Sequence, residues 1–163
     1  MTVQTRLLGV ALGALVLAGL RVDDALAKKP KASFVATVNS KRLQGSQQGI
    51  TALYATTSFS VNGATKPRKG ITRTVTVNCL GNLGALSLPA TMDCYGTYTE
   101  AKKHGAKSWQ RNNGMSLTIE SFDGSRVVGT FHGMLDPAPA QPTDPVVVIE
   151  RGTFSIVVTQ IGV

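Results

Sequence analysis

From residue 33 onward the chain alternates apolar and polar positions with a period of two. In 33–40, Phe34, Ala36 and Val38 share one face. In 71–79, Val75, Val77 and Cys79 share a face, while Thr72, Thr74, Thr76 and Asn78 share the other. Residues 94–100 repeat the pattern with Cys94 and Tyr98. Residues 146–160 set Phe154, Ile156 and Val158 against Thr153, Ser155, Val157 and Thr159. Strict alternation is the mark of a strand with one wet side. Residues 51–62 hold one or two further strands, with Phe59 and Val61 turned inward.

Turn chemistry separates these runs. Residues 39–42 read as a turn, and Asn62-Gly63 is expected to end the strand before it. The loop 80–93 carries Gly81, Gly84 and Pro89. Residues 100–111 are polar, basic and interrupted by Gly105, with room for one helical turn but no lasting helix. Asp123-Gly124, between runs 115–122 and 126–135, is the strongest hairpin signal. A two-residue loop sets Ile119 opposite Val128, and a three-residue loop sets Leu117 opposite Phe131. The second keeps two large apolar residues together and is the expected register. Four prolines in 136–145 predict an extended connection that is neither strand nor helix. Gly152 marks a bulge in one long strand or a hairpin turn. Seven to nine short strands predict an all-β fold, an antiparallel β-sandwich or open barrel, in one domain over 33–163.

The first 27 residues differ in kind. Arg6 precedes an unbroken apolar or glycine stretch over 7–20, and Ala25-Leu26-Ala27 follows before Lys28. A positive start, an apolar centre and a small-x-small site read as a cleavable signal peptide. The stretch falls short of the roughly 20 residues that span a bilayer. The competing reading is an uncleaved anchor. Cleavage after Ala27 would release a soluble chain to the periplasm or the extracellular medium, with no transmembrane span. Residues 28–32 then form a basic, flexible lead-in.

Export bears on the cysteines. Cys79 and Cys94 are the only pair, and an oxidising compartment favours a disulfide between them. A zinc set of Cys79, Cys94, His104 and His132 is the alternative, but structural zinc ligands come in close pairs. No metal or other cofactor is expected.

Net charge is +8, and removal of residues 1–27 takes away two charges of each sign. The cations gather in two places: Lys66, Arg68, Lys69 and Arg73, then Lys102, Lys103, Lys107 and Arg111 with Trp109 interleaved. Such patches attract anionic polymers by counterion release and field focusing. Solvated loops that keep the protein soluble and protect sheet edges carry similar charge. Catalytic signals are sparse. His104 and His132 have no sequence neighbours that make a nucleophile–base set. The carboxylates Asp93, Glu100, Glu120, Asp123, Asp136, Asp144 and Glu150 are scattered. The expected function is therefore a non-catalytic structural or binding domain with no catalytic residues. An electrostatic binder of anionic cell-surface polysaccharide or lipid headgroups is the sharper alternative, and an enzyme of unknown class the third. Nucleic acid is an unlikely partner for an exported chain.

Phe34-x-Ala36-x-Val38-Asn39-x-Lys41 opens the domain, and Val128-Gly129-Thr130-Phe131-x-Gly133 and Gly152-x-Phe154 stand near its end. This layout resembles uncharacterised exported bacterial β-sandwich proteins related to small lipoproteins. Ser40 departs from the glycine usual there, and the lipid-bearing cysteine is missing. The resemblance implies a β fold and export, and carries no activity.

Overall fold

The computed structural model describes residues 31–138 and 144–161. The expected signal peptide, most of the lead-in and the centre of the proline segment lie outside them. Nine strands follow one another: β1 Ser33–Val38, β2 Lys41–Gln44, β3 Ile50–Ala55, β4 Ser58–Ala64, β5 Thr72–Leu80, β6 Ala90–Lys102, β7 Gly105–Phe122, β8 Arg126–Ala138 and β9 Val147–Gln160. The only helical turns among the described residues are Gln47–Gly49 and Leu83–Ala85. The all-β expectation holds.

All nine strands form one sheet, in the order β2-β1-β9-β3-β4-β5-β6-β7-β8, and β8 pairs again with β9. The sheet thus closes on itself. β9 makes this possible by its length. It pairs β8 along one side; on the other it pairs β1 and then, near its end, β3. The short β3–β9 contact, Ala52 to Val158 through Tyr54 to Gln160, is parallel, and the other pairings are antiparallel.

The alternation read from the sequence decides what fills the ring. Phe34, Ala36, Val38, Phe59, Val61, Val75, Val77, Phe154 and Ile156 are all buried. No polar or charged side chain is buried among the described residues. Three phenylalanines run through the interior, with ring centroids 5.2 Å apart for Phe34 and Phe131 and 6.3 Å for Phe131 and Phe154. Each lies against a glycine. Phe131 pairs directly with Gly152, Phe154 with Gly129, and Phe34 lies over Gly63. A Cβ at Gly63 or Gly152 would overlap the facing ring. Glycine inside a strand marks such a close approach.

That packing corrects one expectation and decides between the two readings of another. Asn62-Gly63 does not end a strand: both residues lie within β4, and Gly63 is there to admit Phe34. Gly152 is not a hairpin turn. β9 is one long strand, with its irregularity beside Gly152, between Ile149 and Arg151. Three other segments also differ. Residues 100–111 form a β-hairpin with no helical turn, because the Lys102–Gly105 pair closes around Lys103-His104. Lys41 and Arg42, read as turn, already belong to β2, since Asn39 and Ser40 alone make the reversal at φ of 45° and 60°. Strand β8 runs on through Pro137, which pairs Trp109. Beyond Leu135 no β9 residue pairs β8, and a strand's unpaired side tolerates the missing donor.

The hairpin register came out as expected by a different route. Leu117 faces Phe131, yet the turn is the shorter kind, with Asp123 bonded to Arg126 around Gly124-Ser125. A bulge at Glu120 restores the register. The Asp123 carboxylate accepts from the Arg126 and Ser125 amides at 2.6 and 2.8 Å and from the Ser125 hydroxyl at 2.9 Å. These bonds hold its carboxyl below the usual range.

Cys79 and Cys94 form the disulfide, one step beyond the Asn78–Tyr95 pair of β5 and β6, with Cα atoms 4.5 Å apart. Both face inward, at the end of the ring where Leu83 folds back into the core. The bridge closes a loop of 15 residues. Its reduction is expected to lower unfolding stability by about 3 kcal/mol in the chain-entropy model. Denaturation with and without reductant, alongside thiol counting, checks this; two free thiols in the unreduced, unfolded protein would refute the bridge. Separately, Gly152→Ala is expected to cost about 1–3 kcal/mol through overpacking. Adding Phe131→Leu should recover part of that loss; purely additive losses would show that the ring and the glycine are not coupled.

Candidate functional site

The basic residues sit on connections at one end of the ring. Between β4 and β5, Arg68 and Ile71 exchange two backbone bonds of 2.9 and 3.0 Å around Lys69-Gly70. Both turn residues are left-handed, at φ of 51° and 72°, which suits a tight two-residue reversal. Between β6 and β7 the reversal is Lys103-His104, with Gly105 at φ 146°. Because β5 pairs β6 from Thr72–Ala101 onward, the two reversals stand side by side.

Three clefts lie among them. A cleft of about 620 Å³ between the two reversals is lined by Lys69, Lys102, Lys103, His104 and Lys107. A second of about 610 Å³ is lined by Lys66, Arg68 and Arg73 together with Arg42. A third of about 440 Å³ occupies the mouth of the ring, with Tyr98 and Trp109 beside Arg42, Arg68 and Arg73. The two clusters seen in the sequence therefore share one end of the molecule, and the β1–β2 hairpin adds Lys41 and Arg42 to it. Those two were missed because their positions read as a turn, and no local signal places β2 next to the β4–β5 connection.

Two predicted members behave differently. Trp109 is buried at 7 % exposure, with its ring 5.4 Å from that of Tyr98. Its indole N–H donates to the Pro145 carbonyl at 3.0 Å. It is a core residue at the mouth, not an exposed stacking aromatic, because the β7 alternation turns it inward. Arg111 lies farther along β7, lines none of the three clefts, and pairs with Asp136 at 3.7 Å.

Carboxylates at this end are few and already engaged. Glu100 accepts from Arg73 Nε at 2.9 Å and from the Tyr98 hydroxyl at 2.7 Å. Burial pushes the Glu100 carboxyl up, but the bonds from Tyr98 and Arg73 and the arginine charge outweigh it, so it lies below its ordinary value. Burial and then the bond to Glu100 push the Tyr98 hydroxyl up. Lys107 pairs with Asp144 at 3.1 Å. Lys102 lies within the field of Glu100, which lines the same cleft. Lys41, Arg42, Lys66, Arg68, Lys69 and Lys103 form no ion pair with a carboxylate among the described residues. This end thus carries six cations without an ion-pair partner among the described residues.

The histidines are apart. His104 is exposed in the β6–β7 reversal, and His132 is exposed on β8, opposite Ser116. No group of three His, Cys, Asp or Glu residues positioned to hold a metal occurs among the described residues. No described helix is long and apolar enough to cross a membrane. No family model matches the chain, and neither a curated protein nor a solved structure matches it significantly.

The Glu100 network has a pH signature. A depressed carboxyl contributes stability above its unfolded value near 4.5, and that contribution is lost as pH falls through the lower folded value. Glu100→Gln is therefore expected to lower stability by about 1 kcal/mol at neutral pH, with the difference shrinking in acid as the wild-type carboxylate protonates. Urea denaturation at neutral pH and across the acid range measures it. A difference of equal size throughout would mean the ion pair adds nothing.

Proposed function

We propose that the chain is an exported, non-catalytic β-domain that holds anionic cell-surface polymers or lipid headgroups at its basic end. The observation that carries this reading is the convergence, from three hairpin ends, of six cations that form no ion pair among the described residues onto neighbouring clefts. Charge gathered in concave surface focuses its field and raises the local concentration of a polyanion. The apolar-to-small pattern of residues 1–27 and the Cys79–Cys94 bridge support export to an oxidising compartment. Neither histidine forms an ion pair with a carboxylate among the described residues, which supports a binding role over a catalytic one. The motif resemblance to uncharacterised exported bacterial β-sandwich proteins related to small lipoproteins is in line with export and names no ligand.

Heparin serves as a model polyanion. Binding is expected at low ionic strength and should weaken steeply as salt rises past the range where the Debye length falls below about 10 Å. The triple variant K69Q/K102Q/K103Q should bind about tenfold more weakly, while R111Q, outside the clefts, should bind like the wild type. Negligible affinity at low salt, or affinity indifferent to salt, overturns the proposal.

A further inference from the structure

The cleft at the mouth of the ring differs from the other two in its floor. Val38, Tyr98, Trp109 and Val147 are core side chains, and their edges are what the cleft meets below its rim. The polar atoms of the two aromatics are already used: the Tyr98 hydroxyl donates to Glu100, and the Trp109 N–H donates to the Pro145 carbonyl. The floor therefore offers apolar surface and no free donor. The rim is the reverse. Lys41, Arg42 and Arg68 carry uncompensated charge there, and Arg73 is neutralised by Glu100. Arg42, Arg68 and Arg73 also line the neighbouring cleft, so the guanidinium groups form the wall between the two.

We propose that this mouth is a second binding site, for a small amphiphile with one anionic headgroup and a short apolar body. A polyanion uses the rim but leaves the floor against polar chain. A neutral apolar molecule uses the floor but leaves the cations idle. An acyl carboxylate satisfies both. Its headgroup takes the planar forks of Arg42 and Arg68, which match a carboxylate in two parallel bonds. Its body covers the edges of Trp109 and Val147. A cleft of about 440 Å³ falls within the ordinary range for small-ligand sites, which favour apolar walls with a few convergent polar groups. The interior of the ring is filled by phenylalanine, so the body stops at the floor. The site shares its cationic rim with the polymer reading and rests on it; its apolar floor goes beyond that reading, and the Lys102 and Lys103 side chains line a different cleft.

Trp109 is the only tryptophan, so its emission reports on this floor alone. Octanoate at sub-micellar concentration is the probe, with 1-octanol supplying the body without charge and acetate the charge without a body. Octanoate is expected to shift Trp109 emission saturably with one molecule per chain, and the two controls at matched concentration are not. R42Q/R68Q, both on exposed positions, should weaken octanoate at least about tenfold. K102Q/K103Q should keep octanoate affinity while weakening heparin, which separates a failure of this site from a failure of the polymer reading. No saturable shift, octanol binding as tightly as octanoate, acetate competing equally, or wild-type affinity in R42Q/R68Q would each overturn the proposal.

Discussion

Closing a sheet on itself fixes the width of its interior, and every inward side chain must then fit a space that cannot spread. In this protein the constraint is met by pairing bulk with absence. Phe131 lies on Gly152, Phe154 on Gly129, and Phe34 on Gly63. The first two pairs are reciprocal across β8 and β9, so each strand supplies one ring and one gap to the other. Two positions without a Cβ facing two rings fix the register more firmly than apolar character alone, since a one-residue slip would set ring against side chain. Residues that carry the resemblance noted in the sequence, Phe34, Gly129, Phe131, Gly152 and Phe154, are the ones that fill this interior.

The candidate site inherits its geometry from the same closure. Because β5, β6 and β7 are neighbours in the ring, reversals far apart in sequence rise side by side. The β1–β2 hairpin reaches the same end because β9 holds β1 along its length. Arg73 and Glu100, directly paired across β5 and β6, tie the two strands at the mouth, and Tyr98, two residues back along β6, donates to the same carboxylate. The cations without partners stand above that network, on turns whose backbone conformations are set by Asn39-Ser40 and Lys69-Gly70.

Much of the fold was legible because a period of two is local. The strands at 71–79 and 94–100, the inward cysteines and the Leu117–Phe131 register all follow from alternation and turn residues. What was not legible is what neighbours decide. Asn62-Gly63 looks like a turn unless Phe34 is known to sit over it. Pro137 looks like a strand breaker unless one side of β8 is known to be unpaired. The basic run 100–111 lacks large apolar residues apart from Trp109, so its hairpin depends on pairing with β5 and β8 instead of its own pattern. For the site, the two cation clusters were visible as charge, and their meeting was not. Lys41 and Arg42 and the apolar floor under Arg68 come only from tertiary placement. The inward direction of Trp109 was not legible either, because interleaved lysines hide which way a strand residue points.

The role of β9 has a consequence in time. It is the strand that β8, β1 and β3 all require, and it emerges after the other eight in any chain made from its N-terminus. Until it arrives, β1 and β2 have no place to dock and the two sheet edges that will meet stay open. Long-range pairing of this kind is slow to form and leaves unpaired edges exposed meanwhile. The ring can therefore close only once its last strand is present, and closure depends on the most C-terminal strand of the sheet.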